Sequence, residues 1–107
     1  MGQRREVFRI PIVRTGRIKR VAETVSCEVV NLSEKGFRLR TAGSFVPNEV
    51  LQLEFALSEH EQLTCTVQVI YAQPPFLGAA VTAISPYHQV MLTGFIDQVN
   101  VLHMAGF

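Results

Sequence analysis

Two short patterns in the first part of the sequence contain side chains suited to binding an anion. The first is Arg4-Arg5-Glu6-Val7-Phe8-Arg9, in which Arg5 and Arg9 stand four residues apart. A guanidinium offers five N–H donors in a planar fork, so it grips a phosphate at two points and can also stack on a base. Four residues of extended chain span about 13 Å and leave both arginines on one face, whereas a bent or helical segment brings them closer. Either arrangement suits a ligand with two phosphates.

The second pattern is the segment Asn31-Leu32-Ser33-Glu34-Lys35-Gly36. Asn and Ser are frequent in turns because they hydrogen-bond to nearby backbone, and Gly36 allows a positive φ. On this interpretation the segment is an ordinary turn between two strands. The same side chains can also read the edge of a purine, since an amide offers donors and an acceptor and a hydroxyl offers either. The residues alone leave both interpretations open.

The cations of the chain are confined to the part before residue 41. All ten Lys and Arg residues lie there, against four carboxylates, so this part has a net charge of +6 and the rest of the chain a net charge of −5. This concentration predicts contact with an anion. Four cations lie between the two patterns in the sequence, Arg14, Arg17, Lys19 and Arg20. They are expected either to form a solvated hairpin tip or to attract an anion at long range or contact a partner. Arg38 and Arg40 either flank the ligand or form a solvated face.

Nothing in the sequence predicts an enzyme or a metal centre. The three histidines, His60, His88 and His103, have no neighbouring Asp or Cys that would suggest a catalytic triad or a metal site. The glycines lack the spacing of a phosphate-binding loop. Cys27 and Cys65 lie among inward-facing positions of expected strands, which favours reduced core thiols over a disulfide. We therefore expect a non-catalytic protein without a metal or cofactor.

The length of 107 residues predicts one domain, 1–107, with a single core. No run approaches the roughly 20 apolar residues of a membrane span, and no apolar segment follows the basic N-terminus as it would in a secretory signal. We therefore expect a cytoplasmic protein. Residues 1–9 are expected to be a flexible segment that carries the arginines, because termini are normally mobile.

Alternation of apolar and polar side chains predicts six β-strands in the first 84 residues. Pro11 cannot donate to a ladder, which indicates an edge or a bulge, and Thr15-Gly16-Arg17 indicates a turn or loop. The fifth strand is expected to place Tyr71 on its inward face. The expected ranges are 7–14, 24–30, 37–41, 50–57, 62–73 and 76–84.

The apolar period changes after residue 84 and predicts an amphipathic helix over 85–105. Ser85 suits the N-cap and Pro86 the first helical position. Gly94 suggests close packing against a neighbour. The apolar stripe contains Val90, Met91, Gly94, Phe95, Gln98, Val99 and Leu102. Six strands and one helix predict an all-β fold with a C-terminal helix, a small six-stranded antiparallel β-barrel with one opening covered by the helix.

Taken together, the two patterns resemble the PilZ domain family, which is marked by RxxxR and, farther along the chain, by [D/N]xSxxG. Arg5 and Arg9 match the first motif, 21 residues intervene, and Asn31, Ser33 and Gly36 match the second. The strand after the glycine and the terminal helix also follow the layout of the family, so the resemblance covers essentially the whole chain. It implies a six-stranded barrel that binds cyclic di-GMP, a bacterial second messenger.

The resemblance also implies a role for each motif residue. The two arginines of RxxxR would hold phosphates and guanine faces, Asn31 and Ser33 would hydrogen-bond a guanine edge, and Gly36 would let the ligand approach the backbone. Arg4 extends the first motif to RRxxxR, a form that in the family often accompanies an intercalated ligand dimer. Asn31 stands where Asp is commoner, and an amide cannot accept two guanine donors as a carboxylate does, so a lower affinity is expected.

The function implied by the resemblance is that of a receptor that changes its surface on binding and regulates an unidentified partner in bacterial motility, pilus or biofilm control. One alternative is a PilZ-like protein-interaction module that binds no nucleotide, against which the complete motifs argue. Another is a barrel for single-stranded nucleic acid, which needs aromatic stacking platforms among its cations. Phe8 and Phe37 are the only aromatic residues before residue 41, and alternation turns both inward.

Overall fold

Six strands followed by one helix make up the part of the chain that the computed structural model describes, residues 10–105, with side chains for residues 10–99. The elements are β1 (Ile10–Lys19), β2 (Thr24–Leu32), β3 (Gly36–Arg40), β4 (Val50–Ser58), β5 (Glu61–Gln73), β6 (Phe76–Ala83) and α1 (Pro86–Ala105). Their number and order are those predicted from the sequence. The predicted segment 1–9 lies outside the described residues, with Arg4, Arg5, Phe8 and Arg9, and so do the side chains of Leu102 and His103.

The six strands form a closed antiparallel barrel in the order β1-β2-β3-β6-β5-β4. Strand β1 closes it by pairing with both β2 and β4, so that Gly16 stands opposite Cys27 on one side and Phe55 on the other. The predicted fold class is confirmed.

The inward side chains of the strands form one apolar core, as the alternation predicted. Within it, the rings of Phe37 and Phe55 meet edge to face with their centroids 5.3 Å apart. Cys27 and Cys65 are buried free thiols, which confirms the expectation of reduced core cysteines. Burial raises the pKa of the Cys27 thiol to about 11 and that of the Cys65 thiol to about 12, because a thiolate in an apolar surrounding loses its hydration.

Strand β1 extends farther than the sequence predicted. Thr15-Gly16-Arg17, expected as a turn or loop, lies inside the strand, and the connection to β2 comes after Lys19. Gly16 is buried, and a β-carbon there would lie 2.8 Å from the Glu54 carbonyl oxygen and 2.8 Å from Phe55 Cβ. The glycine therefore permits a close approach of β1 to β4. The sequence alone does not distinguish a glycine required for close strand packing from a glycine required for a turn.

The longer β1 also includes basic residues that were expected in the hairpin tip. Arg14, Arg17 and Lys19 belong to the strand, so the predicted hairpin tip retains only Arg20. The pairing register with β2 shifts between Pro11 and Arg14, which confirms the irregularity predicted at the proline.

Helix α1 begins as predicted, and the face that packs on the barrel overlaps the predicted stripe. Ser85 caps it by accepting a hydrogen bond from the His88 N–H over 3.2 Å. Leu92 and Ile96 are buried in the core, whereas Val90, predicted to lie in the stripe, is 72% exposed. Met91, Phe95 and Val99 of the predicted stripe are partly buried against the core, so the packed face is the predicted one shifted toward Leu92 and Ile96.

A hydrogen bond near the start of α1 helps to define its position. The Thr64 N–H of β5 donates to His88 Nδ1 over 3.1 Å, which attaches the start of the helix to the barrel. Gly94 is exposed, and a β-carbon there would meet nothing within 4 Å, so the predicted close packing at Gly94 is wrong. Of residues 10–105, none belongs to a helix with the length and apolarity that crossing a membrane requires.

Candidate functional site

The second sequence pattern lies where β1 and β2 pair at the beginning of β1. Ile10, which directly follows Arg9 in the chain, pairs with Leu32, and Leu32 lies between Asn31 and Ser33. The three arginines of the first pattern lie outside the described residues. The structure thus brings the residue that follows the first pattern against the middle of the second.

Ser33 is buried and organises the turn between β2 and β3. Its Oγ accepts hydrogen bonds from the backbone N–H groups of Lys35 and Gly36, each over 3.2 Å, and its hydroxyl donates to the Gly36 carbonyl over 3.3 Å. A hydroxyl has one donor and two acceptor sites, so these contacts use its full capacity. A ligand contact by Ser33 Oγ would have to replace one of them.

Gly36 begins β3 at a point where β6 comes very close. Its φ is not positive, since no described glycine has a positive φ. A β-carbon on residue 36 would overlap the Ala79 carbonyl oxygen and lie 3.2 Å from Ala80 Cα. The Lys35 carbonyl accepts a hydrogen bond from the Val81 N–H over 2.9 Å, which fastens the same turn to β6. Glycine is needed here for close strand packing, not for a left-handed backbone.

Asn31 and Arg38 lie side by side on the outer face of the barrel. They are pairing partners on β2 and β3, and both are half-buried, while Leu32, Phe37 and Leu39 beside them point into the core. Directly opposed side chains of antiparallel strands have Cβ atoms about 4.5–5.5 Å apart. The side chain of Arg38 therefore starts next to that of the motif asparagine.

Arg38 is held on the aromatic ring of Phe76. The central guanidinium carbon lies 4.2 Å from the ring centroid, a distance typical of a cation–π contact. Arg38 Nε is buried and has no hydrogen-bond partner. From the sequence, Arg38 was expected either to contact the ligand or to belong to a solvated face. In the structure its side chain is half-buried and stacked on Phe76.

Tyr71 and Gly78 continue the outer face beyond Arg38. Gly78 of β6 pairs with Arg38 on one side and with Tyr71 of β5 on the other. A β-carbon on Gly78 would overlap the Tyr71 ring, so the ring covers this glycine. We call the cross-strand sequence Asn31, Arg38, Gly78 and Tyr71, with Phe76 stacked on Arg38, the outer-face row.

The sequence did not predict the outer-face row. Tyr71 was expected to point inward, but the β5–β6 register shifts between Val69 and Tyr71 and the tyrosine is 37% exposed. The row also depends on the pairing of β3 with β6, which are far apart in the chain. A lone Gly78 between apolar residues was the one available signal, because a glycine inside a strand often marks a close approach.

Several of the other described cations are paired with carboxylates. Arg17 Nη2 lies 2.9 Å and Lys19 Nζ 3.4 Å from Glu54 Oε1, and the guanidinium of Arg40 forms an ion pair with Glu28. The hydrogen bond from Arg17 is the main reason that the pKa of Glu54 lies below its ordinary value. These cations belong to solvated ion pairs on the barrel surface.

Arg20 forms the most connected ion pair, at the turn between β1 and β2. Its Nε lies 2.8 Å from Glu49 Oε2, its Nη1 lies 2.8 Å from Glu23 Oε2, and its guanidinium lies over the Phe45 ring at 4.1 Å. The hydrogen bond from Arg20 lowers the pKa of Glu49. This cluster lies at the opposite end of β1 from Ile10, so it is separate from the second sequence pattern.

The residues that the structure describes contain no group of three or more His, Cys, Asp or Glu side chains that could hold a metal ion. The second pattern and its neighbour Arg38 supply an amide, a hydroxyl, a guanidinium and backbone N–H groups, together with the exposed side chains of Glu34 and Lys35. The Ser33 hydroxyl is hydrogen-bonded to backbone groups of its own turn, and the other groups can donate to and accept from a polar ligand.

The family model for the PilZ domain matches residues 3–98, a range that contains both sequence patterns. The chain belongs to the PilZ domain family. The resemblance inferred from the two motifs is thereby confirmed. No curated protein sequence matches the chain.

Two solved structures share the fold of this PilZ domain. One is the Bacillus subtilis inhibitor of motility MotI/DgrA, with a TM-score of 0.79 and 22% identity over 92% of this chain and 52% of that chain. The other is Escherichia coli YcgR in complex with c-di-GMP, with a TM-score of 0.79 and 20% identity over 97% of this chain and 49% of that chain. At these identities the likeness concerns the fold. The chain spans about half the length of both proteins.

Proposed function

We propose that this PilZ domain is a non-catalytic cyclic di-GMP receptor that changes its surface on binding and thereby regulates a partner protein. Arg5 and Arg9 bind the phosphates and guanine faces, and Arg4 adds a third cation of the kind that accompanies a ligand dimer. Asn31 and Ser33 bind a guanine edge. Gly36 keeps the backbone of the turn accessible and close to β6.

The observation that carries this proposal is the pairing of Ile10 with Leu32. It ties the chain that follows RxxxR directly to NxSxxG, because Ile10, the residue after Arg9, is itself paired with β2. Two guanidinium forks and an amide would provide complementary contacts for phosphates and for the edge of a purine.

The state of Ser33 makes the proposal more specific. Because all three hydrogen-bonding sites of its hydroxyl are used within the turn, a guanine that binds Oγ replaces one of these bonds. Ligand binding therefore changes the hydrogen bonding of the β2–β3 turn, which is bonded to β6 through Lys35 and Val81. This connection provides a route by which the barrel surface changes when the ligand binds.

The partner and the process are proposals of the same kind. One similar structure is of a protein named an inhibitor of motility, and we propose control of bacterial motility, or of the related pilus and biofilm behaviour, from the cytoplasm. Tyr87 and Val90 on the outer side of α1 are each 72% exposed. This uncovered apolar face is a suitable surface for a protein contact.

Calorimetric titration of the full chain with cyclic di-GMP tests the function and also reports whether one or two ligands bind. Arg9→Ala should weaken binding by roughly 10- to 150-fold, because a hydrogen bond to a charged group contributes about 1.5–3 kcal/mol. Arg17→Ala is the matched control, since Arg17 is another arginine of the basic part of the chain but is exposed and paired with Glu54. It should bind the ligand as the unaltered protein does.

A different outcome would favour the alternative function. If neither calorimetry nor a shift in melting temperature detects cyclic di-GMP at high ligand concentration, the chain is not a receptor for it. A PilZ-like interaction module that binds no nucleotide would then be the better description. Unchanged affinity in Arg9→Ala would remove Arg9 from the site.

A further inference from the structure

Arg38 differs from other described arginines in what its guanidinium contacts. The Nε of Arg14 donates to the Leu57 carbonyl over 3.0 Å, and Arg17, Arg20 and Arg40 are paired with carboxylates. Arg38 Nε, by contrast, is shielded from solvent and without an acceptor. Buried donors without a partner are rare because each one costs about 1–3 kcal/mol of lost hydration.

The surroundings of Arg38 explain how this donor is retained. Phe76 holds the guanidinium by stacking at 4.2 Å, and the stack restricts the side chain to the outer face of β3. Gly78 is the pairing partner of Arg38 on β6 and has no side chain with which to bond it. The space over Gly78 is filled by the Tyr71 ring, which offers no strong acceptor on its face. Arg38 is thus held in place without a hydrogen bond to Nε.

The neighbour on the other side of Arg38 is Asn31 of the motif. A purine whose edge is bound by the Asn31 amide would extend over β3 toward the Arg38 guanidinium on Phe76. The edge that arginine pairs with best is the Hoogsteen edge of guanine, where O6 and N7 both accept. Because Arg38 Nε is shielded from solvent, the two-point contact with these acceptors uses the Nη groups at the end of the fork, which Phe76 holds in one orientation.

We propose that Arg38 is a ligand-binding residue of this site and that it donates to O6 and N7 of one guanine, with Phe76 as the residue that positions it. The inference rests on the proposed function, since it assigns a further contact to the same ligand. It also predicts which base the site selects. Adenine presents an amino donor where guanine presents O6, so Arg38 selects guanine over adenine dinucleotides.

The test measures Arg38 variants against two ligands by calorimetry. The first ligand is cyclic di-GMP and the second is its 7-deazaguanine analogue, which lacks the N7 acceptor. Arg38→Ala should weaken binding of cyclic di-GMP roughly 5- to 150-fold, the range for the loss of one two-point arginine–guanine contact. Arg38→Lys keeps the charge but lacks the fork, so it should lose most of the same affinity.

The analogue separates a base contact from an indirect effect. The unaltered protein should bind the analogue more weakly than cyclic di-GMP, whereas Arg38→Ala should bind both ligands equally, because the contact that senses N7 is already absent. Arg40→Ala is the matched control. Arg40 lies two residues farther on the same face of β3 and is paired with Glu28, so this variant should retain both the affinity and the preference for N7.

Several outcomes would overturn the inference. Unchanged binding in both Arg38 variants removes Arg38 from the site, and so does weaker binding in which the preference for N7 persists. If Arg38→Ala proves unfolded by circular dichroism, Arg38→Lys decides the question. Failure of the unaltered protein to bind cyclic di-GMP ends both proposals, whereas binding that depends on Arg9 but not on Arg38 ends only this one.

Discussion

Gly36 lies so close to Ala79 across the β3–β6 pairing that a β-carbon on residue 36 would overlap the Ala79 carbonyl oxygen. The glycine of the NxSxxG motif is therefore required by the barrel itself. Its role in bringing a ligand to the backbone is additional to this steric one. Substitutions at this position act first on the fold.

We expect Gly36→Ala to lower the free energy of unfolding by about 1–3 kcal/mol, the usual cost of forcing extra volume into a filled space. Urea unfolding measures it. Gly94→Ala is the control, because a β-carbon on Gly94 meets nothing within 4 Å and alanine favours a helix over glycine by about 1 kcal/mol. The two substitutions should thus act in opposite directions. Equal stability of Gly36→Ala and the unaltered protein would show that β6 can move away from residue 36 at little cost in free energy.

Replacement of Ser33 by alanine should destabilise the protein even without ligand. The Lys35 and Gly36 N–H groups would lose their acceptor, and we expect the free energy of unfolding to fall by about 1–2 kcal/mol. Chemical unfolding of the ligand-free protein tests this. Ser58→Ala, at an exposed serine 3.4 Å from a Glu61 oxygen, should change stability by less than about 0.5 kcal/mol. If Ser33→Ala is as stable as Ser58→Ala, the hydroxyl is not needed for the turn.

The ion pair of Glu49 with Arg20 should make stability depend on acid pH. The folded pKa of Glu49 lies below its unfolded value of about 4.5, so its contribution is present above pH 4.5 and is lost as the pH falls through the folded pKa. Melting temperatures between pH 7 and pH 3 should show a smaller decrease for Glu49→Gln than for the unaltered protein. Glu59→Gln, at a carboxylate 92% exposed, should keep the original decrease. An identical pH dependence in Glu49→Gln would contradict the assignment.

The two cysteines should be unreactive in the folded protein. Burial raises the pKa of Cys27 to about 11 and that of Cys65 to about 12, and the thiolate is the reactive form. Near pH 8, a thiol-specific chromogenic reagent should therefore react slowly with the native chain and rapidly with both thiols after unfolding in urea. Rapid reaction of the native chain would show that the core opens or that a thiol is accessible.

Periodicity predicted the strands of this protein well, because a half-buried strand must alternate apolar and polar side chains. It failed where the same residue has two structural uses. Gly16 suggested a turn and lies in a strand, because the space for its side chain is taken by β4. For α1 it was only partly right: Met91, Phe95 and Val99 of the predicted stripe pack against the core, but apolar residues on several sides of a helix blur which side the barrel covers. Leu92 and Ile96 are buried there, and Val90 is not.

For the candidate site, too, some features can be predicted from the sequence and others depend on the fold. The two motifs, the family and the chemistry of the side chains follow from the sequence alone, because these depend on residue types and on spacing along the chain. The fold was needed to show that Ser33 Oγ is fully hydrogen-bonded in its turn and that Arg38 lies between Asn31 and the rings of β5 and β6. Those relationships depend on strand register and on closure of the barrel, which bring together positions that are distant in sequence.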